Sequence, residues 1–243
     1  MPDPLFDEWI APRYETLWPE LFDPAVLTPA VDLLAELAGP GPVLEFGIGT
    51  GRVALPLSRR GIAVHGIELS PAMVAQLRRQ PGGTDLEVHT GDFATTSPPG
   101  GPYTLVYLVR NTITNLVTQE EQVDAFANAA RHLRPGGRFV IENYIPALRQ
   151  LPPGETRRIF TATDVHLGFE EYDFAAQVAH SHHYWVVDGQ LRTFSSPHRY
   201  AWPSELDLMA RLAGLSLRYR WAGWDRAPFT GDSASHVSVW ERI

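Results

Sequence analysis

The stretch "VLEFGIGTGR", residues 43–52, sets glycines at 47, 49 and 51 behind an apolar run, with Glu45 two residues before the first. Glycine leaves the main chain bare, so a ligand can reach backbone N–H groups and a positive φ costs little. Further on, "VHGIELSPAM" and "VHTGDF" put Glu68 and Asp92 at the ends of two more apolar segments. A carboxylate accepts two hydrogen bonds, which suits the paired hydroxyls of a ribose at Glu68. Asp92 suits an adenine amino group, with Phe93 supplying ring contact and a backbone donor. A dinucleotide loop would carry its third glycine one residue later, where Arg52 stands, so this loop is a poor pyrophosphate cradle. Each acid taken singly reads more readily as a solvated residue or a helix cap. Together the three point to a nucleoside.

These residues need a sheet whose strand ends lie side by side. From Val43 to Tyr144 short apolar runs alternate with helical patterns. Strands are expected over 43–46, 63–67, 86–89, 103–109 and 138–144, and helices over 52–60, 71–80 and 120–133. Ser70 followed by Pro71 reads as an N-cap with proline at the first helical position. "TQEEQ" opens the last helix with acids and "RPGG" closes it. Such alternation means a parallel sheet with helices on both faces. After Tyr144, strands over 159–169, 177–187 and 190–200 follow without helices, and Asp188-Gly189 is a favoured two-residue hairpin turn. "WPSELDLMARLAGL" then reads as a capped helix ending at Gly214, before strands over 216–221 and 236–241. The expected fold is α/β, a doubly wound, mostly parallel seven-stranded Rossmann-like sheet with an antiparallel β insertion after the fifth strand. Residues 1–39 are expected as a helical cap, 40–145 and 203–243 as the core, and 146–202 as the insertion on the substrate side.

Bulk properties narrow the chemistry. The 243 residues are 44% apolar and 20% charged, as in a soluble globule. No run approaches the ~20 apolar residues of a membrane span, and the acidic, proline-bearing start is unlike a secretion signal; a cytoplasmic protein with no membrane partner is expected. Cysteine and lysine are absent and all 20 basic residues are arginine. Thiolate nucleophiles, Schiff-base lysines and a P-loop lysine are therefore excluded. With a net charge of -8 and arginines in isolated pairs, the basic stripe that nucleic acid requires is missing.

The string "EFGIGTGR…GIELSPAM…GDF…RHLRPGGRFVIENY" resembles class I S-adenosylmethionine-dependent methyltransferases over about residues 40–145 and the closing helix and strands. More narrowly, "RNT" after the fourth strand and "WPSELDLMARLAGL" resemble actinobacterial natural-product methyltransferases. The resemblance implies S-adenosylmethionine as cofactor, S-adenosylhomocysteine as product, and Glu45, Gly47, Gly49 and Gly51 along the methionine part. It implies Glu68 on the ribose and Asp92 and Phe93 on the adenine. Leu69 and Met73 would pack on the adenosine, Met73 serving equally as core. Arg52 is expected, from its charge, either at the cofactor carboxylate or in a surface salt bridge, and Arg110 is placed with the cofactor too. Related enzymes fold an N-terminal helix over the cofactor, which makes Tyr14 a lid residue or a core aromatic.

Methyl transfer from a sulfonium is an in-line displacement that needs alignment and exclusion of water. The acceptor should lie beyond the fourth and fifth strand ends, near Asn111 and near Glu142, Asn143 and Tyr144. Asn111 would orient an amine or phenol, or cap its loop. No acid pair near Glu142 supports a metal, and none is expected. In "AHSHHYW" a two-residue turn at Asp188-Gly189 opposes Ser181 to Ser196, with His180, His182 and Tyr184 on one face. His183 and His198 fall on the other, roughly 13 Å apart along it, so the histidines do not converge. His182 or Tyr184 facing the pocket as base or orienter competes with a half-exposed sheet face. The function expected is methyl transfer to oxygen or nitrogen of a specialised small metabolite or modified peptide, by a monomer or homodimer. The alternatives are an NAD-dependent oxidoreductase and a non-catalytic cofactor-binding protein of the same fold.

Overall fold

The computed structural model describes Phe6 and residues 8–243. Strands β1 (Val43–Phe46), β2 (Val64–Glu68), β3 (Glu87–Thr90), β4 (Tyr103–Leu108) and β5 (Leu133–Tyr144) are joined through helices, except that β3 reaches β4 through a loop without one. With β10 (Leu215–Trp221) and β11 (Ser235–Arg242) they form one seven-stranded sheet, ordered β3-β2-β1-β4-β5-β11-β10. Pairing is parallel except that β11 runs antiparallel to both β5 and β10. Every residue of β1 and β4 is buried, as expected of central parallel strands covered on both faces. Leu44, Phe46, Val106 and Leu108 pack with α5 (Gln119–His132) and α6 (Pro203–Leu212). Val43, Leu105 and Tyr107 pack on the opposite face with α2 (Pro24–Ala38) and α3 (Ala54–Ser58). Strand order reverses between β1 and β4, so a crevice opens there at the carboxyl ends.

Local chemistry explains the helix ends. The Ser70 hydroxyl accepts from Met73 N at 3.2 Å and starts α4 (Pro71–Arg79). Thr118 and Glu121 form a reciprocal capping box at the start of α5. Three expectations are corrected. The segment read as a strand over 159–169 is a hairpin, β6 (Arg157–Ala162) and β7 (His166–Asp173), because Thr163 Oγ1 accepts from His166 N at 3.0 Å and turns the chain. "RPGG" lies within β5 rather than closing α5. Helix α6 starts on Pro203 with no side-chain cap.

β6, β7, β8 (Val178–Val187) and β9 (Gln190–Arg199) form a separate antiparallel sheet. The Asp188-Gly189 turn has φ of 52° and 70°, and Ser181 opposes Ser196 as the turn dictates. Arg199 docks this sheet on the core. It is 5% exposed and donates to Gln122 Oε1 at 2.7 Å and Glu205 Oε1 at 2.6 Å. Gln122 returns a bond to Arg199 O at 3.0 Å. At the amino end, α1 (Tyr14–Leu17) and its flanking turns lay Trp18 against His183 and Trp185. Among the described residues no helix is long and apolar enough to cross a membrane.

Arg199→Met leaves half-buried Glu205 with only the amide donors of Gln119 and Gln177, and urea unfolding should show a loss of about 2 kcal/mol. The double variant Arg199→Met/Glu205→Leu should recover most of that loss.

Candidate active site at the strand ends

The crevice and the inner face of the antiparallel sheet enclose one cavity of about 600 Å³. Gly47 and Gly49, at φ of 71° and 56°, form its floor. Glu68, at the end of β2, is 8% exposed. Its two oxygens accept from Gly49 N at 2.8 Å and Ser70 N at 2.9 Å. Burial raises its pKa against the pull of those amides. Each oxygen keeps a lone pair, so the carboxylate can still bind a ligand while it braces the glycine loop. Leu69 and Met73 line the wall beside it. Asp92 also lines the cavity, and its Oδ1 accepts from Ala94 N at 2.8 Å. Phe93 stacks on the core ring of Phe46, 5.6 Å away.

Gly51 departs from expectation. It lies off the cavity wall, and a Cβ there would stand 2.3 Å from Leu77 Cδ1. Its bare backbone serves helix packing.

Glu45 lies under the glycine loop and accepts from the Tyr107 hydroxyl at 2.8 Å. Burial pushes its pKa up to about 8, against the Tyr107 bond and the Arg52 charge. Arg52 lines the cavity and donates to Leu21 O at 3.2 Å, with no ion-pair partner among the described residues. Tyr14 closes that side, packed on Phe6, Trp18 and Phe22. Ser70 Oγ also donates to Phe6 O at 2.5 Å, which ties the amino-terminal segment to the start of α4.

At the end of β4, Arg110 and Asn111 both hold positive φ, 55° and 60°, and both line the cavity. For residues other than glycine this conformation is uncommon and costly. Glu142 compensates: its Oε2 accepts from Arg110 N at 2.7 Å and its carbonyl accepts from Asn111 N at 3.1 Å. Trp224 Nε1 donates to Glu142 Oε1 at 2.8 Å. The expectation that Glu142 touches substrate is therefore corrected, since its carboxylate is spent on the Arg110–Asn111 turn. Asn143 faces the other way and is 1% exposed, beside the strand partner His236. It too lies off the wall, whereas Tyr144 lines the cavity.

Of the two readings of the histidine strand, the half-exposed sheet face holds for His182 and Tyr184. His182 stacks on Phe169 at 4.7 Å and bonds Ser195 Oγ at 2.8 Å, while Tyr184 stacks on the same ring at 6.1 Å. Both lie away from the cavity and cannot serve as its base. Ser181, His183, Phe194, Ser196 and His198 line it instead. A histidine from outside the hairpin joins that face: His166, from β7, stacks on His183 with Nε2 and Nδ1 3.0 Å apart. The hairpin alone could not reveal that pairing, because His166 arrives from a third strand. Burial lowers the pKa of His183, with His166 adding to it, and that of His198, each to about 4. Buried Trp185, two residues from His183, was the available signal for the inward face.

Two supports escaped sequence reasoning. Asn128 of α5 donates to Phe93 O and Thr96 O, each at 2.8 Å, and so fixes the loop after β3. A second amide beside Gln122 on the buried face of α5 was its only trace. Trp224 comes from a loop far along the chain and left none.

Folded Glu45 keeps its proton up to about pH 8, whereas in the unfolded chain it ionises near 4.5. Its contribution to stability is full below pH 4.5 and is lost as pH rises through 8. Urea titrations at pH 6 and pH 8 should show the wild type losing about 2 kcal/mol relative to Glu45→Gln over that interval.

The glycine cradle, the doubly braced buried Glu68 and the unsaturated Asp92 face one space, which fits the donors and acceptors of S-adenosylmethionine. Residues 43–137 match the family model described as a methyltransferase domain. The cypemycin N-terminal methyltransferase of a Streptomyces species is 28% identical over 259 aligned positions, covering 100% of both chains. A methyltransferase from Clostridium acetobutylicum, described as S-adenosylmethionine-dependent, shares the fold at TM-score 0.77 and 12% identity, over 95% of this chain and 98% of that one. The CcbJ methyltransferase from Streptomyces caelestis is 35% identical, with a TM-score of 0.87 over 100% of both chains. The chain belongs to the S-adenosylmethionine-dependent methyltransferases.

Proposed function

We propose that this protein methylates a nitrogen or oxygen of a specialised small metabolite or modified peptide in the cytoplasm. The observation that carries the proposal is the continuity of one cavity. Its floor is Gly49, Glu68 and Asp92, and its far wall is the antiparallel sheet with Ser181, Ser196 and His198. When bound, S-adenosylmethionine supplies a methyl group on a positively charged sulfur, open to displacement by a lone pair. Glu68 would hold the ribose hydroxyls and Asp92 the adenine amine, with Leu69 and Met73 against the adenosine. Gly47 and Gly49 let backbone approach the methionine part, near Glu45, Arg52 and Arg110. Tyr14 and Trp18 cover the cavity and help exclude water, which strengthens polar contacts inside it. Asn111 and Tyr144 stand where an acceptor would enter.

In this scheme residues 1–39 act as a cap, 40–145 with 203–243 as the cofactor core, and 146–202 as the acceptor wall. That the cypemycin relative is an N-terminal methyltransferase supports an amine-bearing acceptor here.

Calorimetry with S-adenosylhomocysteine tests the cofactor site. The wild type should bind, and Glu68→Ala should weaken binding roughly ten- to a hundredfold, as loss of charge-assisted hydrogen bonds implies. A folded wild type that does not bind would refute the proposal.

A further inference from the structure

β9 turns Ser196 and His198 into the cavity, where they meet Asn111 and Thr114 of the loop after β4. The Thr114 hydroxyl donates to Asn111 O at 2.7 Å. It has one proton, so in its 3.4 Å contact with His198 Nδ1 it accepts. The imidazole proton therefore sits on Nδ1. Burial, with a smaller push from His180, holds this ring neutral at pH 7, so Nε2 is bare. Nε2 lies 2.7 Å from Ser196 Oγ and accepts the serine proton. Ser196 Oγ has no other hydrogen-bond partner among the described residues. It presents lone pairs alone to the cavity.

We infer that Ser196 grips the methyl acceptor by its N–H or O–H and leaves the acceptor's own lone pair free to face the Gly49–Glu68 end of the cavity. This deepens, and rests on, the methyl-transfer proposal above. Ser196 touches the acceptor; His198 and Thr114 are positioning residues that set the direction of its proton. The acceptor's lone pair forms the bond to the methyl carbon as the carbon–sulfur bond breaks and its electron pair stays on sulfur, and the methylated acceptor then loses one proton to water. A hydroxyl acceptor offers one hydrogen and is methylated once. An amine is held only while an N–H remains, so methylation stops at the tertiary amine. Alignment is what this contact supplies, and small losses of alignment cost rate rather than affinity.

The ring state is read from long-range proton–nitrogen spectra of protein carrying nitrogen-15 histidine, with His198→Asn for assignment. The expected result is a proton on Nδ1 of His198 and an Nε2 resonance that moves in Ser196→Ala. A proton on Nε2, or a ring unmoved by that variant, overturns the inference. With S-adenosylmethionine and benzylamine as the probe, Ser196→Ala should lower kcat about tenfold or more with little change in KM. Ser196→Thr, which keeps the hydroxyl, should restore it. N,N-Dimethylbenzylamine should not be methylated; a quaternary product, or a Ser196→Ala variant as fast as wild type, overturns the inference. Should the wild type leave benzylamine untouched, the ring spectrum decides. Failure of the wild type to bind S-adenosylhomocysteine removes the methyl-transfer proposal instead, and the tautomer remains readable in the free protein.

Discussion

Arg199 sits desolvated between Gln122 of α5 and Glu205 of α6, and the sheet it terminates shares no ladder with the seven-stranded sheet beneath. Without ladder bonds, the angle and height of the antiparallel sheet depend on side chains. A buried ion pair is a poor source of net stability, because desolvation cancels most of the Coulomb gain. It is strict about geometry, since any displacement leaves a charge unpaired. A second tie comes from the small cluster of Tyr172, Ala179 and Tyr200 against Tyr144 and Leu148. Together they hold the cavity roof at a fixed distance from the glycine floor.

Below that roof the strand ends meet a common difficulty. Where a strand stops, backbone groups lose their ladder partners and must be satisfied in a dry place. Three side chains, two of them buried and Glu142 half-buried, do this. Glu68 takes the amides of Gly49 and Ser70, Glu142 takes that of Arg110, and Asn128 covers the carbonyls of Phe93 and Thr96. Each secures a loop that lines the cavity, so support and recognition fall on neighbouring atoms. Glu68 alone has the placement for both.

The elements of the parallel sheet were legible because their signals are local. A buried tetrapeptide such as Val43–Phe46, a Ser-Pro helix start at 70–71 and an Asp-Gly turn each act within a few residues. The acids at 68 and 92 were legible for a related reason, as strand ends are visible in sequence and lie side by side in this fold. The acceptor side was not. Alternation along β8 separated His182 from His183 correctly, yet strand period does not say which face turns inward; that is set by where Trp18, Trp185 and Arg199 pack. The roles of Glu142 and Gly51 were hidden likewise, since each depends on a neighbour from elsewhere, Trp224 for one and Leu77 for the other.

The antiparallel sheet leaves the chain after β5 and returns at α6, and none of its strands adds to the edge of the larger sheet. Its inner surface can thus accumulate substitutions, or be exchanged between lineages, without renegotiating a single parallel pairing. One contiguous stretch of chain can therefore be rebuilt to reshape the cavity while the glycine floor keeps its strand pairings intact.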